Sequence, residues 1–134
     1  MPTPEKAQQI EEISELLRNS TLTILTDYRG LTVTDLQGFR TQLREKEARL
    51  KVVKNTLTRI AAERVGLEAV TPLLEGPTAI VCTAADPVAA AKVVTDFART
   101  SRVLVVKGAL LEGKLLPPAE VERLATLPPR EELL

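Results

Sequence analysis

The apolar positions of this chain change period several times, and each change marks an element. From Pro4 to Asn19, the residues Ala7, Ile10, Ile13, Leu16 and Leu17 recur at helical spacing, with Thr3 as a candidate cap ahead of Pro4. TLTILTDY (21–28) instead alternates and is rich in Thr and Ile, so it predicts a strand, and Arg29-Gly30 marks a turn after it. A second helix is expected from about 34 to 47, capped by Thr32 or Thr34, with Leu36, Phe39 and Leu43 along one face. RLKVVK (49–54) predicts a second strand. Asn55 to Val65 follows as a helix expected to bury Leu57, Ile60, Ala61 and Val65, ended by Gly66.

Glu68 to Leu74 predicts a short helix, and Glu75-Gly76-Pro77 turns the chain into the strand TAIVCTA (78–84). Asp86-Pro87 suits the N-cap and first position of a helix reaching Arg99, with Ala90, Val93, Val94 and Phe97 inward. RVLVVKGALL (102–111) is the fourth strand, and Glu112-Gly113 offers a return into a fifth. Pro117-Pro118 opens a short helix through Leu127, Pro128-Pro129 halts it, and REELL (130–134) reads as the first turn of another. The alternation predicts an α/β fold: a single domain with a mixed sheet of four or five strands flanked by helices. Residues 1–127 are assigned to that domain and 128–134 to the start of the further helix. The strand–helix–strand unit over 21–54 is expected to be a right-handed crossover with parallel strands. If those strands are neighbours, Asp27–Gly30 and Lys54–Thr56 emerge side by side at one edge, where open α/β sheets bind ligands.

Composition narrows the chemistry. The chain has no His and one cysteine, Cys82, which sits in an apolar strand and reads as a buried small hydrophobe. Metal and redox centres therefore lack ligands, no cofactor is expected, and a reducing, cytoplasmic setting is the simple inference. No apolar run approaches the ~18 residues of a membrane span, and the charged N-terminus does not resemble a signal peptide. Phosphate-loop, dinucleotide, metalloprotease and serine-hydrolase motifs are absent, so an enzyme is disfavoured.

The 18 basic and 18 acidic residues cancel overall but not locally. Between Arg40 and Arg64 lie eight cations (Arg40, Arg44, Lys46, Arg49, Lys51, Lys54, Arg59 and Arg64) against three acids, a surplus of five. Such a stripe on a neutral protein points to one face meeting a polyanion, or more plainly to a solvated helix face. Within it, Lys54, Asn55, Thr56 and Arg59 surround a helix start, whose free amides and dipole attract anions. Asn55 or Thr56 can cap that helix, and Lys51 projects from the strand before it. Gly30 beside Arg29 permits close backbone approach to a partner, and Gly76-Pro77 is a further contact candidate if its strand begins on the same edge. Each has a plainer reading as a cap, a turn or a solvated strand end. With only Tyr28, Phe39 and Phe97 as aromatics, base stacking on single strands is poorly served, whereas folded RNA can be gripped through phosphates and 2′-hydroxyls. The competing class is a protein-interaction or small-anion-binding α/β module without rRNA binding.

Four phrases carry a resemblance: TDYRGLTV (26–33), LKVVKNTLTRIA (50–61), LEGPTAI (74–80) and RLATLPPREE (123–132). In this order and spacing they resemble the N-terminal domain of the bacterial ribosomal protein L-ten family, the stalk-base proteins of the large subunit. The resemblance implies a ribosomal protein that docks on large-subunit (23S-type) rRNA beside ribosomal protein L-eleven. It also implies a long C-terminal helix anchoring the acidic L-seven/L-twelve stalk dimers, which recruit translational GTPases. By that resemblance Arg29, Gly30, Lys54, Asn55, Thr56, Arg59, Gly76 and Pro77 are rRNA-facing candidates, to which strand geometry adds Lys51. Family members run several helical turns beyond the LATLP phrase, so this chain is expected to be a fragment lacking most of the stalk-binding helix.

Overall fold

The structure, a computed structural model, describes residues 4–126. The elements are α1 (Pro4–Asn19), β1 (Leu22–Asp27), α2 (Val33–Glu45), β2 (Ala48–Val53) and α3 (Asn55–Arg64). A 3-10 turn over Glu68–Leu73 leads to β3 (Thr78–Thr83), α4 (Pro87–Ser101), β4 (Val105–Leu111), β5 (Lys114–Leu116) and α5 (Pro118–Ala125). The candidate cap at Thr3, the last residue of the expected final helix at Leu127, and REELL all lie outside the described residues.

Local chemistry sets most boundaries. Thr32, not Thr34, caps α2: its hydroxyl accepts from Asp35 N, and the Asp35 carboxylate accepts from Thr32 N, a reciprocal capping box. Asp86 accepts from Val88 N and Pro87 takes the first position of α4, where a missing N–H costs nothing. That helix runs two residues past Arg99 and is closed by Arg102 in a left-handed conformation, so β4 starts at Val105 rather than at 102. Glu112 and Gly113, both at positive φ, make the tight return into β5.

The strand order is β2-β3-β1-β4-β5, and every hydrogen-bonded pair is antiparallel. The expectation of a mixed sheet with β1 and β2 adjacent is therefore corrected. Those two strands do run in one direction, but β3 lies between them and pairs antiparallel with both. Helices cover the sheet on two faces. Phe39 and Leu43 of α2, Ala90, Ala91 and Val94 of α4, and Val121 and Ala125 of α5 pack on Leu22, Ile24, Leu50, Ala79, Val81 and Ala109. Within this layer Phe39 and Phe97 stack with ring centroids 4.3 Å apart. On the opposite face, Ile10, Ile13 and Leu17 of α1 and Leu57, Ala61 and Ala62 of α3 pack on Leu25, Val53, Ile80, Cys82 and Leu110. Because both faces are covered, Leu22 to Thr26 are all buried, and Thr26 donates its hydroxyl proton to Ala79 O at 2.9 Å. Cys82 is buried as expected, and burial pushes its thiol pKa up.

One core expectation fails. Ile60 is 40 % exposed, while Thr58 and Ala62 are buried in its place. The face of α3 that meets α1 runs through 57, 58, 61 and 62, and Ile60 falls outside it. Thr58 is tolerated inside because its hydroxyl donates to Lys54 O at 2.9 Å.

Candidate nucleic-acid interface

The antiparallel order has one consequence for the basic residues. β1 and β2 end, and β3 and β4 begin, along a single rim of the sheet. At the end of β1, the Asp27 carboxylate accepts from Arg29 N at 2.8 Å and stands 3.8 Å from the Arg29 guanidinium. This holds the turn that Gly30 completes at a φ of +92°. A Cβ on Gly30 would sit 3.5 Å from Val103, which is ordinary contact, so the conformation rather than space requires glycine there.

Three elements converge on the loop that opens β3. Asn55, from α3, donates its Nδ2 proton to Gly76 O at 2.7 Å. Thr78 donates to the same carbonyl at 3.2 Å. Lys107, from β4, donates to Glu75 O and, at 2.8 Å, to Thr78 Oγ1. From β1, Arg29 brings Nη2 to within 2.8 Å of where a Gly76 Cβ would be. Gly76 itself has φ +68°. The loop is thus pinned from both sides, and its missing side chain is filled by a guanidinium.

Lys107 is the residue that sequence reasoning missed. The β1–β4 register slips between Leu25 and Thr26, pairing them with Gly108 and Val106, so Lys107 has no opposite residue and is turned toward the rim. Partial burial lowers its pKa; nearby Asp27 opposes that shift, Arg29 adds to it, and Glu75 opposes it. The available signal was a lone cation inside the apolar strand VLVVKGALL, next to a glycine. Gly108 is required there because a Cβ would meet Leu73 Cδ1 at 2.7 Å and Leu116 O at 3.1 Å.

The helix start differs from expectation. Lys54, not Asn55 or Thr56, occupies the N-cap of α3, and it makes no side-chain cap bond. Asn55 is already helical; its NH₂ group donates to Gly76 O, and its Oδ1, the atom that would have to accept as a cap, is buried and reaches no first-turn amide. The first-turn amides are consequently left without a side-chain acceptor, which suits an incoming anion better than a capped helix would. Arg59 lies one turn after Asn55 on the same side of the helix and, like Lys54 and Thr56, is exposed. Pro77 is half-buried between the pinned Gly76 and β3.

Lys51 does not join this cluster. It points toward α1, where its ammonium is 3.4 Å from Glu12. It meets Lys54 only as a co-lining residue of a groove of about 690 Å³ along α1. Arg29, Lys54, Asn55, Gly76 and Pro77 are thus gathered with Lys107 at one rim, with Gly30 on its β4 side and Thr56 and Arg59 on its α3 side. Among the described residues no acidic or Cys cluster of metal-binding type occurs, and no helix is long and apolar enough to cross a membrane.

Comparison with known proteins places this geometry in context. A family model described as ribosomal protein L10 matches residues 1–99. The large ribosomal subunit protein uL10 of Thermomicrobium roseum is 69% identical over 134 residues, covering 100% of this chain and 75% of the relative. The uL10 of Acidothermus cellulolyticus is 48% identical over 134 residues, 100% of this chain and 77% of the relative. The uL10 of Staphylococcus aureus is 43% identical over 129 residues, 96% of this chain and 78% of the relative.

Proposed function

The chain belongs to the ribosomal protein L10 family, and on that premise we propose that its rim binds large-subunit rRNA at the stalk base. It is a structural ribosomal protein, not an enzyme. Its place is on the cytoplasmic ribosome, beside ribosomal protein L-eleven. We further propose that the full-length protein anchors the L-seven/L-twelve stalk dimers, through which translational GTPases are recruited.

The observation carrying the rRNA reading is the convergence of Arg29, Asn55 and Lys107 on the Glu75–Gly76 turn, beside a helix start whose N-cap, Lys54, makes no side-chain cap bond. Arg29 and Arg59 meet phosphates through their forked guanidinium donors and Lys54 as a compact point charge. The open amides of α3 donate to a phosphate oxygen. Asn55 and Lys107 act on the protein instead, holding the 75–78 loop so that the Arg29 guanidinium keeps its seat over Gly76 at the rim. This division differs from a simple basic patch, because only part of the polar rim touches RNA.

The test is the double substitution Lys54→Ala with Arg59→Ala in a binding assay against a stalk-base rRNA fragment at several salt concentrations. The slope of log K against log salt is expected to fall by roughly one unit for each lost contact. A slope equal to that of the unaltered chain would refute the assignment of these cations.

A further inference from the structure

The two edges of the sheet are built differently. β5 is three residues long and runs into Pro117-Pro118, which offer no N–H. β2, at the other edge, has six residues, and its single sheet neighbour is β3. Alternate N–H and C=O groups along Ala48–Val53 therefore face out of the sheet. Grooves flank this edge on both faces of the sheet. One of about 860 Å³ lies toward α2 and is lined by Arg40, Arg44, Arg49 and Lys51 with Glu47 as its acid. Another of about 600 Å³ lies toward α1, where Arg49 and Lys51 stand among Glu12, Glu15 and Glu47 and Lys51 pairs with Glu12. Arg40, Arg44 and Arg49 are exposed and, among the described residues, stand in no ion pair.

We propose that the outer edge of β2 takes up an extended acidic segment of a partner protein as a sixth strand. An open edge presents donors and acceptors in equal number at the repeat of another strand, which a polypeptide satisfies on every second residue. A phosphate chain is acceptor-only and would face the outward carbonyls with like partial charge, so the edge chemistry favours peptide over RNA. The arginines of α2 lie toward one face of the added strand, and Arg49 and Lys51 toward the other. Acidic side chains on the α2 side of the incoming segment therefore find Arg40 and Arg44, while on the α1 side, where Glu12 and Glu15 also stand, Arg49 offers the cation that, among the described residues, no ion pair engages. This site is separate from the rim and stands whether or not the rim binds rRNA.

The probe is a blocked, fluorescent octapeptide of alternating Glu and Thr, titrated into the 134-residue chain by anisotropy and by amide hydrogen exchange. Two further versions carry N-methyl groups on either the even or the odd residues, and a third has Lys for Glu. Strand addition slows exchange at alternate amides of 48–53, tolerates one N-methyl pattern and rejects the other. Arg44→Glu with Arg49→Glu is expected to weaken binding about tenfold without changing thermal unfolding. Any of four results overturns the proposal: equal binding of the Lys peptide, equal tolerance of both N-methyl patterns, binding without β2 protection, or no protection at millimolar peptide. Displacement of the peptide from β2 by the stalk-base rRNA fragment would likewise overturn it, by assigning the edge to RNA.

Discussion

Replacing Gly76 by alanine separates backbone cost from binding cost at a single position. Its φ of +68° is left-handed, and holding an L-residue there costs about 1–2 kcal/mol. The added Cβ also lies 2.8 Å from Arg29 Nη2, closer than contact permits. That guanidinium ends a flexible side chain, 70% exposed, and withdraws into solvent at little folding cost. The loss of stability is therefore the backbone part alone, about 1–2 kcal/mol, or a fall in Tm of about 4–7 °C for a chain of this size. Withdrawal moves a cation off the rim, so the salt slope for the rRNA fragment drops by about one unit. Arg29→Ala should cause the same slope change with little loss of Tm. The two substitutions together should lose no more slope than either alone, because both remove one contact. Gly38→Ala is the internal contrast: it lies inside α2 with nothing within 4 Å of a Cβ, so it is expected to stabilise by about 0.5–1 kcal/mol. Additive slope losses from Gly76→Ala and Arg29→Ala, or an unaltered slope in Gly76→Ala, would refute the proposed seat of the guanidinium over Gly76.

Three other outcomes are expected. Lys107→Met removes the donors to Glu75 O and Thr78 Oγ1 and should speed hydrogen exchange in the 75–78 loop. Because the folded pKa of Lys107 is lowered by burial, the unfolded chain holds its proton to higher pH. The unaltered protein therefore gains stability relative to Lys107→Met as pH rises from that lowered value toward 10.5, measurable by denaturant unfolding at alkaline pH; no such relative gain would count against the buried placement. Ile10→Ala, at a position with 0% exposure, should cost about 2–5 kcal/mol, whereas Ile60→Ala should cost under about 1; equal losses would contradict the assigned face of α3. Thr32→Ala breaks the capping box and should cost about 1 kcal/mol in thermal or urea unfolding, whereas Thr34→Ala should not.

The parts of the site legible beforehand were those that nearest-neighbour chemistry decides. Arg29-Gly30 is a turn because Asp27 can reach the Arg29 amide and glycine can take the positive φ. The start of α3 follows from the end of an apolar strand at Lys54. Asn55 was recognised as important for the wrong reason: its amide serves a carbonyl twenty-one residues away, not its own helix. Lys51 was placed at the rim by strand geometry, but α1 offers Glu12 on the other side of the molecule's edge strand.

Side-chain period, helix caps and turn residues are properties of short stretches, so the sequence by itself determined where the elements lie, which were helices and which strands, and that Leu, Val, Ile and Ala would form the core. Strand order was decided only in the folded chain. β1 and β2 each pair with β3, which enters between them because its six residues are all buried and need covered faces and a paired neighbour on each edge. The same long-range packing rotated Ile60 outward on α3, and the slip in the β1–β4 register turned Lys107 to the rim. Bringing Arg29, Asn55, Gly76 and Lys107 together required four separate strand ends to meet, and contacts across such separations are set by burial of the whole sheet rather than by any local pattern.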